Sequence, residues 1–348
     1  MSFIVREADI YADKNILLNI LKENRDKDFP FEKRYDWLYY DNPFGTAIAW
    51  IIWDEKKAYP AGFTAVYPRK MLIKQQEILC WNCGDFSIEK KYRTLGVAVK
   101  LRKAAKNEVD SGKVPFLYAH PNNRMVHIHL RAGHQKIAQM KRYALPLRLS
   151  KYAGNPAAAK VVKTVIDPVV SFALKKKFYR SGSYENVSQT DMHFHSGFQE
   201  LCETLNGSFP IVGFRNEAYL TWKYKNHPIY DYKLFNYYEK GKLTGYIFYY
   251  RQGDTLYITE LISKLDNESP LKLLKTFINF VLNNFSEVAT ISTIVQEYNP
   301  YLPLMTEIGF RYRDDSTSDV IAYAAREELK PIVLEGKNWL MNNGDRDI

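Results

Sequence analysis

The stretch CWNCGDFSIEKKYRTLGVAVKLRKAAKNEVDSG, residues 80–112, decides the reading of this chain of 348 residues. A strand around residues 84–88 runs through a basic turn into a helix. Gly96 and Ala98 are small enough to let the backbone approach a phosphate closely, and the first N–H groups of a helix have no partner within it. Lys90, Lys91, Arg93, Lys100 and Arg102 surround that helix start with positive potential.

The next stretch, PFLYAHPNNRMVHIHLRAGH (residues 115–134), predicts a second strand and a short helix closed by Gly133. Its pattern returns in NPYLPLMTEIGF, residues 299–310. Trp37, Tyr39 and Pro43 of WLYYDNP are likewise repeated, at identical spacing, by Trp222, Tyr224 and Pro228 of WKYKNHP. A strand, a turn and another strand follow each, the later strand opening with Gly62 in the first case and Gly245 in the second. Echoes in the same order imply two copies of one α/β unit. Residues 1–150 hold the first copy, residues 183–330 the second, and residues 331–348 form a tail that Trp339 can anchor.

Between the copies, Val161, Val165, Val169 and Ala173 recur at a spacing of four, with Val162, Ile166, Val170 and Leu174 beside them. This predicts an amphipathic helix, kinked near Pro168. Residues 151–182 are therefore read as a basic connector whose apolar stripe is clamped between the halves. The lysines that close it, Lys175 to Lys177, would equally suit an anionic membrane surface.

The R-x-x-G-x-A pattern of Arg93, Gly96 and Ala98 resembles the acyl-CoA pyrophosphate loop of the GCN-type N-acetyltransferases, the GNAT superfamily. The resemblance implies an α/β fold of two tandem GNAT-like mixed-sheet domains joined by the connector helix. It implies acetyl-CoA or another acyl-CoA as co-substrate, held by Phe86, Ser87, Ile88, Arg93, Thr94, Leu95, Gly96, Val97, Ala98 and Asn122. Backbone N–H groups around residues 86–88 would polarise the thioester carbonyl. Asp85 is the expected general base, with Glu89 the next choice. Asn122, Met125 and His129 fall on the family's N-x-x-A-x-x-x-Y positions, so His129 stands where a tyrosine protonates the departing thiolate. Histidine is largely unprotonated at neutral pH, so that role does not transfer automatically. The plainer readings are a backbone-bonding bulge residue for Asp85 and a core-packed histidine for His129.

The second copy lacks the loop glycine and arginine, has a proline at the helix entrance, and carries Met305 in place of His129. It reads as a degenerate copy. The expected activity is acyl-CoA-dependent N-acyltransfer, most simply N-acetyltransfer, to a primary amine such as an amino sugar of a surface polysaccharide. The alternatives are an inactive GNAT pair that only binds, and a Fem-type transferase using aminoacyl-tRNA.

Charge is unevenly spread. The chain holds 49 Lys plus Arg against 39 Asp plus Glu, a net +10. Residues 90–150 carry 14 basic and 2 acidic side chains and residues 151–182 carry 7 and 1, whereas the rest is acidic. Such a segment attracts a polyanion: a phosphate-rich cofactor, an anionic membrane or, in the Fem-type alternative, tRNA. The longest apolar run, residues 47–53, is too short to span a bilayer, and Arg6, Glu7 and Asp9 spoil a secretory signal, so a cytoplasmic protein is expected. Cys80 and Cys83 form a single C-x-x-C without a second ligand pair, His127 and His129 lie two apart on a helix, and His193 and His195 lack a third ligand, so no metal is expected. Neither a G-x-S-x-G elbow nor a G-x-x-x-x-G-K-[ST] loop occurs.

Overall fold

The computed structural model describes residues 2–25, 29–179 and 182–346. The first half comprises β1 (Phe3–Glu7), α1 (Lys14–Asn24), α2 (Phe31–Tyr35), β2 (Ile48–Asp54), β3 (Tyr59–Ile73), β4 (Gln76–Ile88), α3 (Leu95–Asp110), β5 (Phe116–Ala119), α4 (Asn123–Ala132) and β6 (Gln135–Pro146). The connector is α5 (Pro156–Val161) and α6 (Asp167–Phe178). The second half repeats the order with β7 (Ser183–Val187), α7 (Ser196–Asn206), β8 (Ile211–Gly213), α8 (Glu217–Leu220), β9 (Lys233–Glu239), β10 (Lys242–Gln252), β11 (Thr255–Ser263), α9 (Ser269–Asn284), β12 (Thr290–Gln296), α10 (Leu302–Ile308) and β13 (Arg311–Ala324). The tail adds α11 (Lys330–Val333) and β14 (Trp339–Leu340).

The long hairpin β3–β4 turns at Lys74 and Gln75, whose φ values of 50° and 67° give the turn the twist a two-residue hairpin needs. Gly62 lies where β3 meets the end of β4, and a Cβ there would stand 2.6 Å from the Ser87 carbonyl oxygen. Gly245 is in the same position between β10 and β11, with the Ile262 carbonyl oxygen 2.9 Å from its would-be Cβ. The repeated glycines thus answer the same close approach of strands.

All of these strands join one mixed sheet of 14 strands, with the central order β4-β5-β13-β6-β12-β11. Here the structure departs from two self-contained domains at 1–150 and 183–330. Strand β13 of the second half lies between β5 and β6 of the first, pairing Ile321 with Ala119 and Val320 with Ala138. Strand β6 of the first half in turn lies between β13 and β12, pairing Pro146 with Thr290. Each half lends its last strand to the other. The cause is edge satisfaction: β5 is buried throughout, and its backbone groups on the side away from β4 need a partner, which β13 supplies.

The connector is also differently placed. A π-helical stretch over Val162–Ile166 joins α5 to α6, a local widening that lets the helix run on into Pro168. Its stripe of Val161, Val165 and Val169 is exposed, not clamped between the halves. The connector is instead held by Asp167, whose carboxylate accepts from the Leu149 and Ser150 N–H groups at 2.7 and 3.2 Å, and by Phe178, buried in the core around α9. A helix needs few inward contacts when both its ends are fixed, and periodicity in sequence cannot tell an inward stripe from an outward one.

The tail docks as an anchor. Trp339 is buried edge-on to Phe116, and Asp345 bridges Arg69 of the first half (3.2 Å) and Arg215 of the second (2.9 Å).

Candidate active site

Strands β4 and β5 run parallel for a short distance, from Trp81 opposite Leu117 to Cys83 opposite Ala119. Strand β4 then continues to Ile88, whereas the chain after Ala119 turns through Pro121 into α4, so the two strands part. The Glu89 N–H bonds back to the Ala61 carbonyl on β3 at 3.0 Å. By the alternation of a strand, the N–H groups of Ile88 and Phe86 therefore face the open side. Those are donors of the kind an oxyanion requires.

Beyond the wedge, Thr94 caps α3, its hydroxyl accepting from the Val97 N–H at 3.4 Å. Gly96 lies in the exposed first turn, and a Cβ there would meet nothing within 4 Å. The space in front of the helix start is thus open to a ligand. Arg93 folds back along the surface of the loop: its Nε donates to the Ile88 carbonyl at 2.8 Å and its guanidinium also bonds Asn24. It laces the loop to β4 and α1.

A cleft of about 540 Å³ follows this wedge, walled by Phe86, Ser87, Ile88, Arg93, Thr94, Leu95, Ala98 and Asn122. Of the residues expected to hold the donor, Val97 lies beneath in the core and Gly96 at the exposed helix start. Asn122 caps α4, accepting from the N–H groups of Arg124 and Met125 at 3.1 and 3.2 Å. The sequence reading missed Asn24, Arg25, Arg124 and His127, which also line the cleft.

Asp85 is not on this wall. It is the extra residue of a bulge in β4, because Phe86 pairs with Thr64 and Gly84 with Ala65. Its buried carboxylate accepts from Arg34 at 2.9 and 3.1 Å, from Arg25 at 2.8 Å and from the Tyr39 hydroxyl at 3.1 Å. Burial alone would raise its pKa, but the guanidiniums of Arg34 and Arg25 outweigh that and hold it well below the usual carboxylate range. Such a carboxylate is a poor proton acceptor, and the base expected at Asp85 does not match these surroundings. Glu89 is likewise engaged, by Lys91 at 3.0 Å and by the Tyr59 hydroxyl.

His129 is buried on the core side of α4, its Nδ1 2.8 Å from Nδ1 of His134. Burial, with help from Arg102 and His134, pushes its pKa well below the usual imidazole range. It is therefore neutral, and it is not among the cleft-lining residues. An acid at the thiolate cannot come from this ring in this position. His127, two residues earlier, is exposed and does line the cleft.

The second half shows what a closed version of the wedge looks like. Strand β11 pairs with β12 from Thr255 to Ile258 and then diverges, but the Tyr301 hydroxyl fills the gap. It accepts from the Ser263 N–H at 3.0 Å and donates to the Ser263 carbonyl at 2.8 Å. Met305 is buried beside it in the same core. Pro270 occupies the first turn of α9 and removes an N–H that an anion could use.

A second, polar cavity of about 850 Å³ shares Asn122 and Arg124 with the cleft and is lined further by His120, Asp314, Asp315 and Arg346. The acids come from a stretch of β13 that bulges off β6 between Arg313 and Ser318. His120 follows the last residue of β5, and its ring nitrogens are buried without a hydrogen-bond partner among the described residues. Burial, then the charges of Arg346 and Lys223 against that of Asp345, push its pKa down to about 3. Its place at the carboxyl end of a strand was the one signal in the sequence that could have found it. Among the described residues, no three His, Cys, Asp or Glu side chains gather as metal ligands, and no helix is long and apolar enough to cross a membrane.

A paired sheet with a parted β4–β5 wedge and a capped helix behind it is the tandem fold of the GCN5-related N-acetyltransferases. Among solved structures, the chain is similar to a GCN5-related N-acetyltransferase from Anabaena variabilis, with a TM-score of 0.66 at 15% identity over 93% of this chain and 73% of that one. It is similar to a tandem GNAT protein from the clavulanic acid biosynthesis pathway, with a TM-score of 0.56 at 12% identity over 93% and 99% of the two chains. Saccharomyces cerevisiae N-myristoyltransferase with bound myristoyl-CoA gives 0.58 at 12% identity over 93% and 79%. No family model matches the sequence, and no curated protein matches it either. The likenesses define the fold.

Proposed function

We propose that the chain is an acyl-CoA-dependent N-acyltransferase that acts on a primary amine with its first half. The observation that carries this reading is the contrast between the wedges: the first is open and leads to a bare helix start at Gly96, and the second is plugged by Tyr301. The diphosphate of the donor meets the N-terminus of α3, and its acyl arm lies in the cleft along Phe86 to Ile88. The neutral amine attacks the thioester carbon, forming the C–N bond. The N–H groups of Phe86 and Ile88 hold the oxyanion, and the C–S bond breaks as the thiolate takes up a proton. The amine enters from the polar cavity, where His120 orients it through an imidazole lone pair and the Asp314 carboxylate accepts from its neighbouring hydroxyls. Hydroxyl-rich acceptors such as amino sugars suit those polar walls. With Asp85 tied up in ion pairs, water takes the amine's proton.

The test is calorimetric titration with acetyl-CoA, followed by an acetyl-transfer assay over a panel of amines and amino sugars. Binding with turnover of at least one amine is expected. Binding without turnover of any would favour the inactive-pair reading, to which the buried His129 lends support.

A further inference from the structure

The connector carries a feature that acyl transfer does not use. Along its outer side Val161, Val165, Val169 and Phe172 are 60%, 60%, 66% and 73% exposed, with Ile166 at 40% beside them. Single exposed apolar residues are ordinary, but a continuous ridge of them marks a contact surface. The ridge has a definite charge. Lys160, Lys163 and Lys176 are exposed along the same helix, and the ammonium of none of them meets an acid among the described residues. Asp167 is the sole acid of residues 155–179, and it is buried, its carboxylate taken up by the Leu149 and Ser150 N–H groups. No carboxylate of the connector is therefore exposed beside the ridge. A cavity of about 660 Å³ opens alongside, with Lys160, Lys163 and Arg148 on its wall; the two acids on that wall, Asp254 and Glu287, are already paired with Lys151 and Arg251, which leaves the lysines of the helix in excess.

We propose that this ridge docks the protein on the surface of an anionic lipid bilayer, with Val165, Val169 and Phe172 at the acyl boundary and the lysines among the headgroups. An apolar ridge flanked by lysines is what lies stably in such an interface, and the connector is too short and too charged to cross it. A second copy of the chain fits less well. Pairing the ridges face to face, in either direction, sets lysines against lysines with no exposed acid on the connector to relieve them. The proposal does not depend on the acyltransferase reading.

Co-sedimentation of the full chain with vesicles tests it. With equal parts phosphatidylglycerol and phosphatidylcholine, the wild type is expected in the pellet. With phosphatidylcholine alone, or in high salt, it is expected in the supernatant, because the lysine attraction is lost or screened. Phe172→Asp with Val169→Asp should abolish binding and leave the melting temperature unchanged, since neither side chain is buried. Lys160→Glu with Lys163→Glu should weaken it by at least roughly fivefold per lysine. The proposal is overturned if the wild type ignores anionic vesicles, if Phe172→Asp lowers the melting temperature, or if sedimentation velocity shows a dimer that Phe172→Asp dissolves.

Discussion

Trp37 and Trp222 bond each other twice: the indole N–H of Trp37 donates to the Trp222 carbonyl at 2.8 Å, and the indole N–H of Trp222 donates to the Trp37 carbonyl at 2.8 Å. Their rings stack with centroids 4.7 Å apart and planes 14° from parallel. A contact in which residue i serves j as j serves i marks a two-fold axis, here an internal one relating the repeats. The motif that disclosed the duplication in sequence therefore sits on its axis. Trp37→Phe or Trp222→Phe removes a donor and leaves a buried carbonyl unpaired, at a cost of about 2 kcal/mol each. Chemical denaturation of both variants and the double variant should show less than additive loss, since the stack is shared.

The strand exchange makes the halves interdependent. A chain cut in the connector should give fragments that do not fold singly, because β5 loses β13 and β12 loses β6. Mixed together they should regain the circular dichroism spectrum of the intact chain. A cooperative melt of residues 1–150 alone would contradict the exchange.

The acids at corresponding places on β4 and β11 are held alike in both halves. Tyr39 donates to Asp85, and its repeat counterpart Tyr224 donates to Glu260 at 2.7 Å, while Arg215 pairs with Glu260 at 2.7 Å much as Arg34 pairs with Asp85. An arrangement kept in a half whose wedge is plugged serves structure. Asp85→Asn leaves buried guanidinium charge uncompensated and should cost roughly 3–5 kcal/mol. Turnover per folded molecule, measured well below the variant's melting temperature, should change little. A loss of a hundredfold or more with the melting temperature intact would restore Asp85 as the base.

Stability should fall with acid in two stages. The imidazole of His134 is pushed down to about 3, by burial first and then by Arg102 and Lys106, and His129 is pushed down as well. The unfolded chain binds those protons from about pH 6.5, so stability is full above that and declines as pH falls below it. Asp85 is depressed, so its contribution is present above the ordinary carboxylate value and declines below about pH 4. Melting temperatures from pH 8 to pH 3 should show the first stage weakened in His134→Gln and the second in Asp85→Asn.

Much of the fold was legible because repeats and strand-to-helix transitions are local signals. The order of elements and the helix closures at Gly133 and Gly309, with φ of 99° and 121°, follow from short stretches of sequence. The partner of β6 does not, since exchange leaves each half's own pattern unchanged. At the site, the loop residues were readable from spacing. The surroundings of Asp85 were not, because Arg25 and Arg34 lie 60 and 51 positions away in sequence. Helix phase places His127 and His129 on different sides of α4 but does not say which side is the cleft.

The plug of the second wedge can be tested by Tyr301→Phe, which removes both hydrogen bonds to Ser263 and should lower stability by about 1–3 kcal/mol. It should not create a second donor site, because Pro270 still occupies the helix start. A stoichiometry of two acetyl-CoA in this variant would show that Tyr301 alone closes the second half.

The most direct test of the account is calorimetric titration of acetyl-CoA into the wild type and into Gly96→Trp. Apart from its chain neighbours and the backbone of its own helix, no atom of the described residues lies within 4 Å of where a Gly96 Cβ would be, so the substitution should leave the fold and melting temperature intact while filling the space before α3. The account requires one molecule bound per chain in the wild type, a rise in melting temperature with ligand, and loss of both in Gly96→Trp. No binding to the wild type at millimolar acetyl-CoA, or undiminished binding to a folded Gly96→Trp, would contradict it.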